Sequence, residues 1–170
     1  MSSTEVVDKR RNAGASLTVS RKPIQAWANH RLPSSHLITN VLIPYIQLTD
    51  RELYFFPERI IFKKGNQLGG VFYKNISIAY SDTRFIEHES PCSDAEVVDH
   101  TWEYLNKNGE PDGRFRSNRQ LPICMYSQYT ITSEQGWKEV FITSKRGAMN
   151  HFADFIKVIG EYQRRLNARV

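Results

Sequence analysis

The stretch Met149-Asn150-His151-Phe152-Ala153-Asp154-Phe155-Ile156-Lys157-Val158-Ile159-Gly160-Glu161-Tyr162-Gln163-Arg164-Arg165-Leu166 decides the reading of the whole chain. Met149, Phe152, Phe155, Ile156, Ile159, Tyr162 and Leu166 recur at spacings of three and four, which places one apolar stripe along a helix. His151, Asp154, Lys157, Glu161, Arg164 and Arg165 fall mainly on the other side. Such a stripe must be buried against something. Everything between residues 41 and 143 that repeats does so with the two-residue period of strands.

Leu53-Tyr54-Phe55-Phe56, Pro57-Glu58 and Arg59-Ile60-Ile61-Phe62-Lys63-Lys64 read as two strands and their turn. Gly65-Asn66-Gln67-Leu68-Gly69-Gly70 reads as a second turn, because glycine supplies the backbone freedom of a tight reversal. Val71-Phe72-Tyr73 and Ile76-Ser77-Ile78-Ala79-Tyr80 continue the meander. Residues 81–100 read as an acidic loop, and Thr101-Trp102-Glu103-Tyr104-Leu105 alternates again, with Trp102 and Tyr104 on one side. The last strands run from Leu121 to Ile131 and from Glu139 to Thr143, joined by the turn Ser133–Gly136. The expected fold is α+β: an antiparallel meander or small barrel of about seven or eight strands, closed by one C-terminal amphipathic helix that buries its stripe against the sheet. Trp27, Trp102 and Trp137 are expected to pack, Trp137 over the helix, and Cys124, between Ile123 and Met125, to be a buried hydrophobe.

At 170 residues the chain suits one compact domain plus an arm, and 12% aromatic content with irregular apolar spacing excludes collagen-like, coiled-coil and wholly disordered classes. Residues 1–36 carry six basic and two acidic side chains and show no sustained period. They read as a basic arm, mostly disordered or loosely docked, before a domain spanning 37–170. Residues 145–170 again carry six basic and two acidic side chains, so a mildly acidic body lies between two basic ends. Such ends suit an anionic partner: nucleic acid, an anionic lipid surface or an acidic protein. The arginines near the end, Arg164, Arg165 and Arg169, also suit the negative end of a helix dipole. The opening residues lack the apolar core of a signal peptide. The longest apolar run, Val41 to Leu48, is too short to cross a bilayer and contains Pro44. Two cysteines, Cys92 and Cys124, belong to no disulfide framework, and the expectation is a cytoplasmic protein with reduced thiols.

No phosphate-binding glycine loop, Cys-x-x-Cys pair or His-Glu-x-x-His sequence occurs, so neither a cofactor nor a catalytic residue is expected. The nearest approach to a metal cluster is the acidic segment holding His88, Asp99 and His100, which would serve a metal-dependent hydrolase if those side chains converged. The stronger candidate is Arg114-Phe115-Arg116-Ser117-Asn118-Arg119, in a loop longer than a hairpin needs. Three arginines around an aromatic ring and an asparagine can anchor a protein partner, or grip phosphates while the ring stacks on a base. The same residues can equally be architectural, with Arg119 pairing Glu103 or Glu110, Phe115 filling a barrel mouth and Asn118 capping a turn.

Several stretches resemble a domain of uncharacterised bacterial proteins: Leu53–Arg59, Thr83-Arg84-Phe85-Ile86-Glu87, Thr101–Lys107 and Gly113–Pro122, together spanning roughly residues 40–145. The element order resembles the pleckstrin-homology-like superfold. That resemblance implies a binding module and assigns no catalytic residue. Its lipid-binding members use basic residues in the first hairpin loop, a position that Lys63 and Lys64 echo here. The resulting expectation is a non-enzymatic adaptor that holds a protein partner through Arg114, Phe115, Arg116, Asn118 and Arg119 and its basic arm. Nucleic-acid binding is the alternative, and metal-dependent hydrolysis a third.

Overall fold

The computed structural model describes residues 26–29 and 31–168. The arm before residue 26 and the predicted basic end at Arg169 lie outside the described residues, as does the side chain of Trp27. Ala26–Asn29, within the stretch assigned to the arm, forms strand β1 and pairs with β2 (Ile43–Gln47). β3 (Glu52–Phe55), β4 (Arg59–Lys64) and β5 (Gln67–Phe72) follow as an antiparallel meander in the order β1-β2-β3-β4-β5. The hairpin of β3 and β4 falls where the sequence places it. The next turn is shorter than expected, because Gln67 to Phe72 stay in ladder register with β4. Gly69 lies directly opposite Phe62 there. A side chain at Gly69 would strike the Phe62 ring, and that ring stacks on Trp137 at 6.2 Å. Trp137 therefore packs on the first sheet.

The second sheet departs from the expected meander. β6 (Ile76–Ile86) and β8 (Gln120–Ser133) pair over eleven residues. The other edge of β8 is shared: β7 (Glu96–Trp102) takes its first half and β9 (Lys138–Thr143) its second. At about 3.3 Å per residue, fourteen residues give β8 room for two short strands end to end. Among the described residues the nine strands form two antiparallel sheets, not one closed barrel. The expected loop 81–100 is mostly strand. Asp82, Arg84 and Asp99 sit on exposed faces of β6 and β7, where ladder bonds to β8 substitute for apolar periodicity. An ion pair also fixes it: Arg146 binds Asp82 with Nη2 at 2.6 Å, and the Tyr80 hydroxyl also donates to that carboxylate.

β8 changes its buried face midway. Tyr129 and Ile131 join Ile46, Leu53, Ile60, Val71, Tyr73 and Phe141 in the main core between the sheets and the helix. Cys124 and Tyr126, of opposite parity, form a second cluster with Phe85 and Ile142. Cys124 is buried, as expected. Glu87 is buried nearby and accepts a hydrogen bond from the Tyr126 hydroxyl. Between the sheets, Arg51 in the β2–β3 turn reaches Glu139 on β9 at 3.1 Å; burial pushes the Glu139 carboxyl up, against the pull of that guanidinium.

Helix α1 (Asn150–Asn167) lies on the junction of the two sheets, the 3₁₀ turn Tyr73–Asn75. Its buried residues are Ala153, Ile156 and Gly160, with Phe152 and Ile159 partly covered, so the buried stripe is rotated from the expected one. Phe155 is 59% exposed. The reason is Gly160: the helix backbone comes so close that an added Cβ would stand 2.7 Å from the Tyr73 carbonyl oxygen. Three hydrogen bonds hold the approach. Gln163 accepts from the Lys74 amide at 3.0 Å and donates to the Glu58 carbonyl at 2.6 Å, while Arg164 donates to the Lys74 carbonyl at 3.0 Å.

Gly160→Ala therefore tests the packing against helix propensity. Alanine gains up to about 1 kcal/mol in an isolated helix. Here the expected result of chemical denaturation is a net loss of about 1–3 kcal/mol, because a backbone carbonyl has to give way. Ile156→Ala is expected to cost about 2–5 kcal/mol. A stabilised Gly160→Ala protein would show that the helix does not seat on Tyr73.

Candidate functional site

The loop between β7 and β8 is built from its own side chains. Glu103 N–H donates to the Arg119 carbonyl, Asp112 N–H to the Tyr104 carbonyl and Asn106 N–H to the Glu110 carbonyl, and Leu105 and Pro111 form an isolated bridge. Asn118 clamps the backbone of Tyr104 from both sides, accepting from its N–H at 3.0 Å and donating to its carbonyl at 2.8 Å. A single asparagine thereby closes a loop of fifteen residues in the manner of a backbone pair.

The three arginines separate by role. Arg114 wraps the buried Asp112, with Nε at 2.9 Å from one carboxylate oxygen and Nη2 at 2.5 Å from the other. Arg119 Nε meets Glu103 at 2.9 Å, one of the two pairings open from the sequence. Arg116 is exposed and has no ion-pair partner among the described residues. Phe115 fills no barrel mouth. Its ring stacks on Tyr104 at 4.1 Å and 12°, and the two remain 43% and 41% exposed. β7 ends at Trp102, which frees Tyr104 from the strand alternation expected of it. The site is a rigid aromatic pair in a loop carrying four positive and three negative side chains.

The remaining candidates do not come together. Lys64 is paired with Asp50 at 3.1 Å, and Lys63 stands opposite Glu52 in the β3–β4 register, at a shallow polar hollow of about 280 Å³. Arg51 and Lys64 hold the Asp50 carboxyl down at about 2. His88, Asp99 and His100 are all exposed, and no group of three or more potential metal ligands converges among the described residues. Asp99 instead accepts from the His100 backbone N–H at 2.8 Å and from Arg84 at 2.9 Å, which lowers its carboxyl.

A second feature escapes sequence reasoning. An apolar groove of about 590 Å³ opens between β2, β3 and α1, walled by Val41, Leu42, Pro44, Phe55, Phe152 and Phe155. Its signal was present in the apolar run from Val41, but that run invites only the question of whether it spans a membrane. No described helix is long and apolar enough to do so.

The chain matches no protein-family model, and neither a curated protein nor a solved structure is significantly similar to it.

The Asp112 pair carries a pH signature. Hydrogen bonds from the Arg114 side chain, then from its backbone N–H, draw the Asp112 carboxyl from 3.8 to about 2. A depressed carboxylate favours the folded loop fully above its ordinary value, and that contribution is lost as pH falls from about 4 towards about 2. Carboxyl NMR is expected to give Asp112 a midpoint at about 2, and Arg114→Gln to return it towards 3.8. An unchanged midpoint in Arg114→Gln would mean that another group holds the charge.

Proposed function

We propose that the chain is a pleckstrin-homology-like adaptor of the cytoplasm, whose β7–β8 loop binds a protein partner. The observation that carries this reading is the stacked, half-exposed Tyr104–Phe115 pair on a loop fixed by its own hydrogen bonds. Aromatic rings held rigid before binding give contact area at little entropic cost, and exposed arginine beside them is a favoured anchor. Arg116 supplies that anchor. The near balance of charge in the loop favours a mixed protein surface over a run of phosphates, because Asp112 and Glu103 already neutralise Arg114 and Arg119. At the hairpin lysines, Asp50 already pairs Lys64, which disfavours a lipid headgroup.

The superfold assignment is supported by the element order, with strands in two antiparallel sheets followed by one C-terminal helix. The cytoplasmic assignment is supported by sparse cysteine usage, with Cys92 at the surface and Cys124 in the core.

The test is capture of partners from lysate on the immobilised chain, with and without nuclease, using wild type and the double variant Phe115→Ala with Arg116→Glu. These positions are chosen because Arg114, Asn118 and Arg119 build the loop, so replacing them would confuse binding with folding. A protein retained by wild type through nuclease and lost from the variant, with thermal midpoints within about 2 °C of each other, supports the adaptor. Nuclease-sensitive material alone would replace it with nucleic-acid binding. Retention of the same protein by the variant would move the contact off this loop.

A further inference from the structure

We propose that the apolar groove and the exposed flank of α1 form a two-fold interface between copies of this chain, with α1 packed antiparallel on α1 of a second copy. This is independent of the β7–β8 loop. The observation is a second apolar stripe on the helix that its own body leaves uncovered: Phe155, Val158, Tyr162 and Leu166 are 59, 64, 62 and 47% exposed. At 3.6 residues per turn these four positions share one face, next to the partly covered Phe152 and Ile159. Phe155 and Ile159 also line the groove, opposite Val41 and Leu42, so stripe and groove are one continuous surface. Nothing in the fold requires that stripe, because Ala153, Ile156 and Gly160 already seat the helix.

Size and charge point to a second copy as the occupant. The exposed parts of these side chains offer on the order of 500 Å² per copy, most of the roughly 800 Å² that each partner contributes to a standard interface. The sheets occupy one flank of the stripe, leaving the other, with Asp154, Glu161 and Arg165, to face the second copy. An antiparallel arrangement centred between Val158 and Ile159 sets Phe155 against Tyr162 of the second copy. It also brings Asp154 towards Arg165 of the second copy, so unlike charges meet on that flank. A two-fold interface repeats every such contact twice, so a modest complementarity is doubled. Tyr162 suits the groove mouth, where its ring is covered and its hydroxyl stays at the wet rim.

Sedimentation velocity on the full chain from about 1 to about 200 µM tests this directly. The expected result is a concentration-dependent dimer. Tyr162→Glu should weaken it at least about tenfold with helix content unchanged by circular dichroism. Should that variant unfold, Val158→Glu on the same stripe provides the same reading. Asp154→Arg should also weaken the dimer, and adding Arg165→Asp in the same chain should restore it, a rescue that a merely structural role would not give. A monomer at every concentration overturns the proposal; an apolar dye bound by that monomer would assign the groove to a foreign apolar partner. A dimer indifferent to both stripe variants, or a charge pair that fails to rescue, overturns it equally.

Discussion

The close approach of Gly160 to the Tyr73 carbonyl sets the geometry of the rest of the molecule. Along the chain the two sheets are joined by the short turn Tyr73–Asn75, and a three-residue turn cannot fix their relation by itself. The helix does so by resting its backbone on that turn. Gln163 and Arg164 then bond to Glu58 and Lys74, tying the β3–β4 turn to the 3₁₀ turn. Once Gly160 faces inward, the 100° step per residue determines every other position on the helix. Ile156 and Ala153 enter the core, and Phe155 is carried out to the groove. The groove is thus a geometric consequence of a residue with no side chain.

That consequence explains what could and could not be read beforehand. The helix itself, its extent and the antiparallel hairpin of β3 and β4 are written in spacing that depends on local geometry alone. The orientation of the helix is not local. Phe155 carries more apolar surface than Gly160, so any periodicity argument turns the large residues inward. Only the tertiary contact at Tyr73 reverses that choice. The second sheet illustrates the same limit. Asp82, Arg84 and Asp99 look like loop residues because their side chains are polar, yet a strand exposed on a face needs no apolar alternation. The split edge of β8 depends on a fourteen-residue strand whose length becomes meaningful only when two partners share it.

The candidate loop was legible in composition and not in role. Arginine, asparagine and aromatic residues at 114–119 stand out in the sequence, but which arginine is spoken for depends on acids at 103 and 112 brought alongside by folding. Asp112 is buried while the Arg114 side chain is 83% exposed, so the pair faces outward with only its acidic half covered. Such a pair orders the loop more than it stabilises the domain. The two aromatic rings bury one face each against the other. What they present to solvent is a rigid edge and the remaining faces.

An exposed rigid pair and an exposed stripe make different demands on whatever covers them. The Tyr104–Phe115 pair sits among charges of both signs and stays wet, which suits an encounter that forms and dissolves. The α1 stripe is larger, continuous with a cavity and bordered by charge on one flank only, which suits a contact kept for most of the protein's life. If each is used as its chemistry suggests, paired helices would carry two β7–β8 loops on one assembly. Bivalency would then raise the avidity of a weak loop contact without any change at the loop itself. A loop in which Arg114 and Arg119 are already paired can remain modest in affinity and still function, provided the helix supplies the second copy.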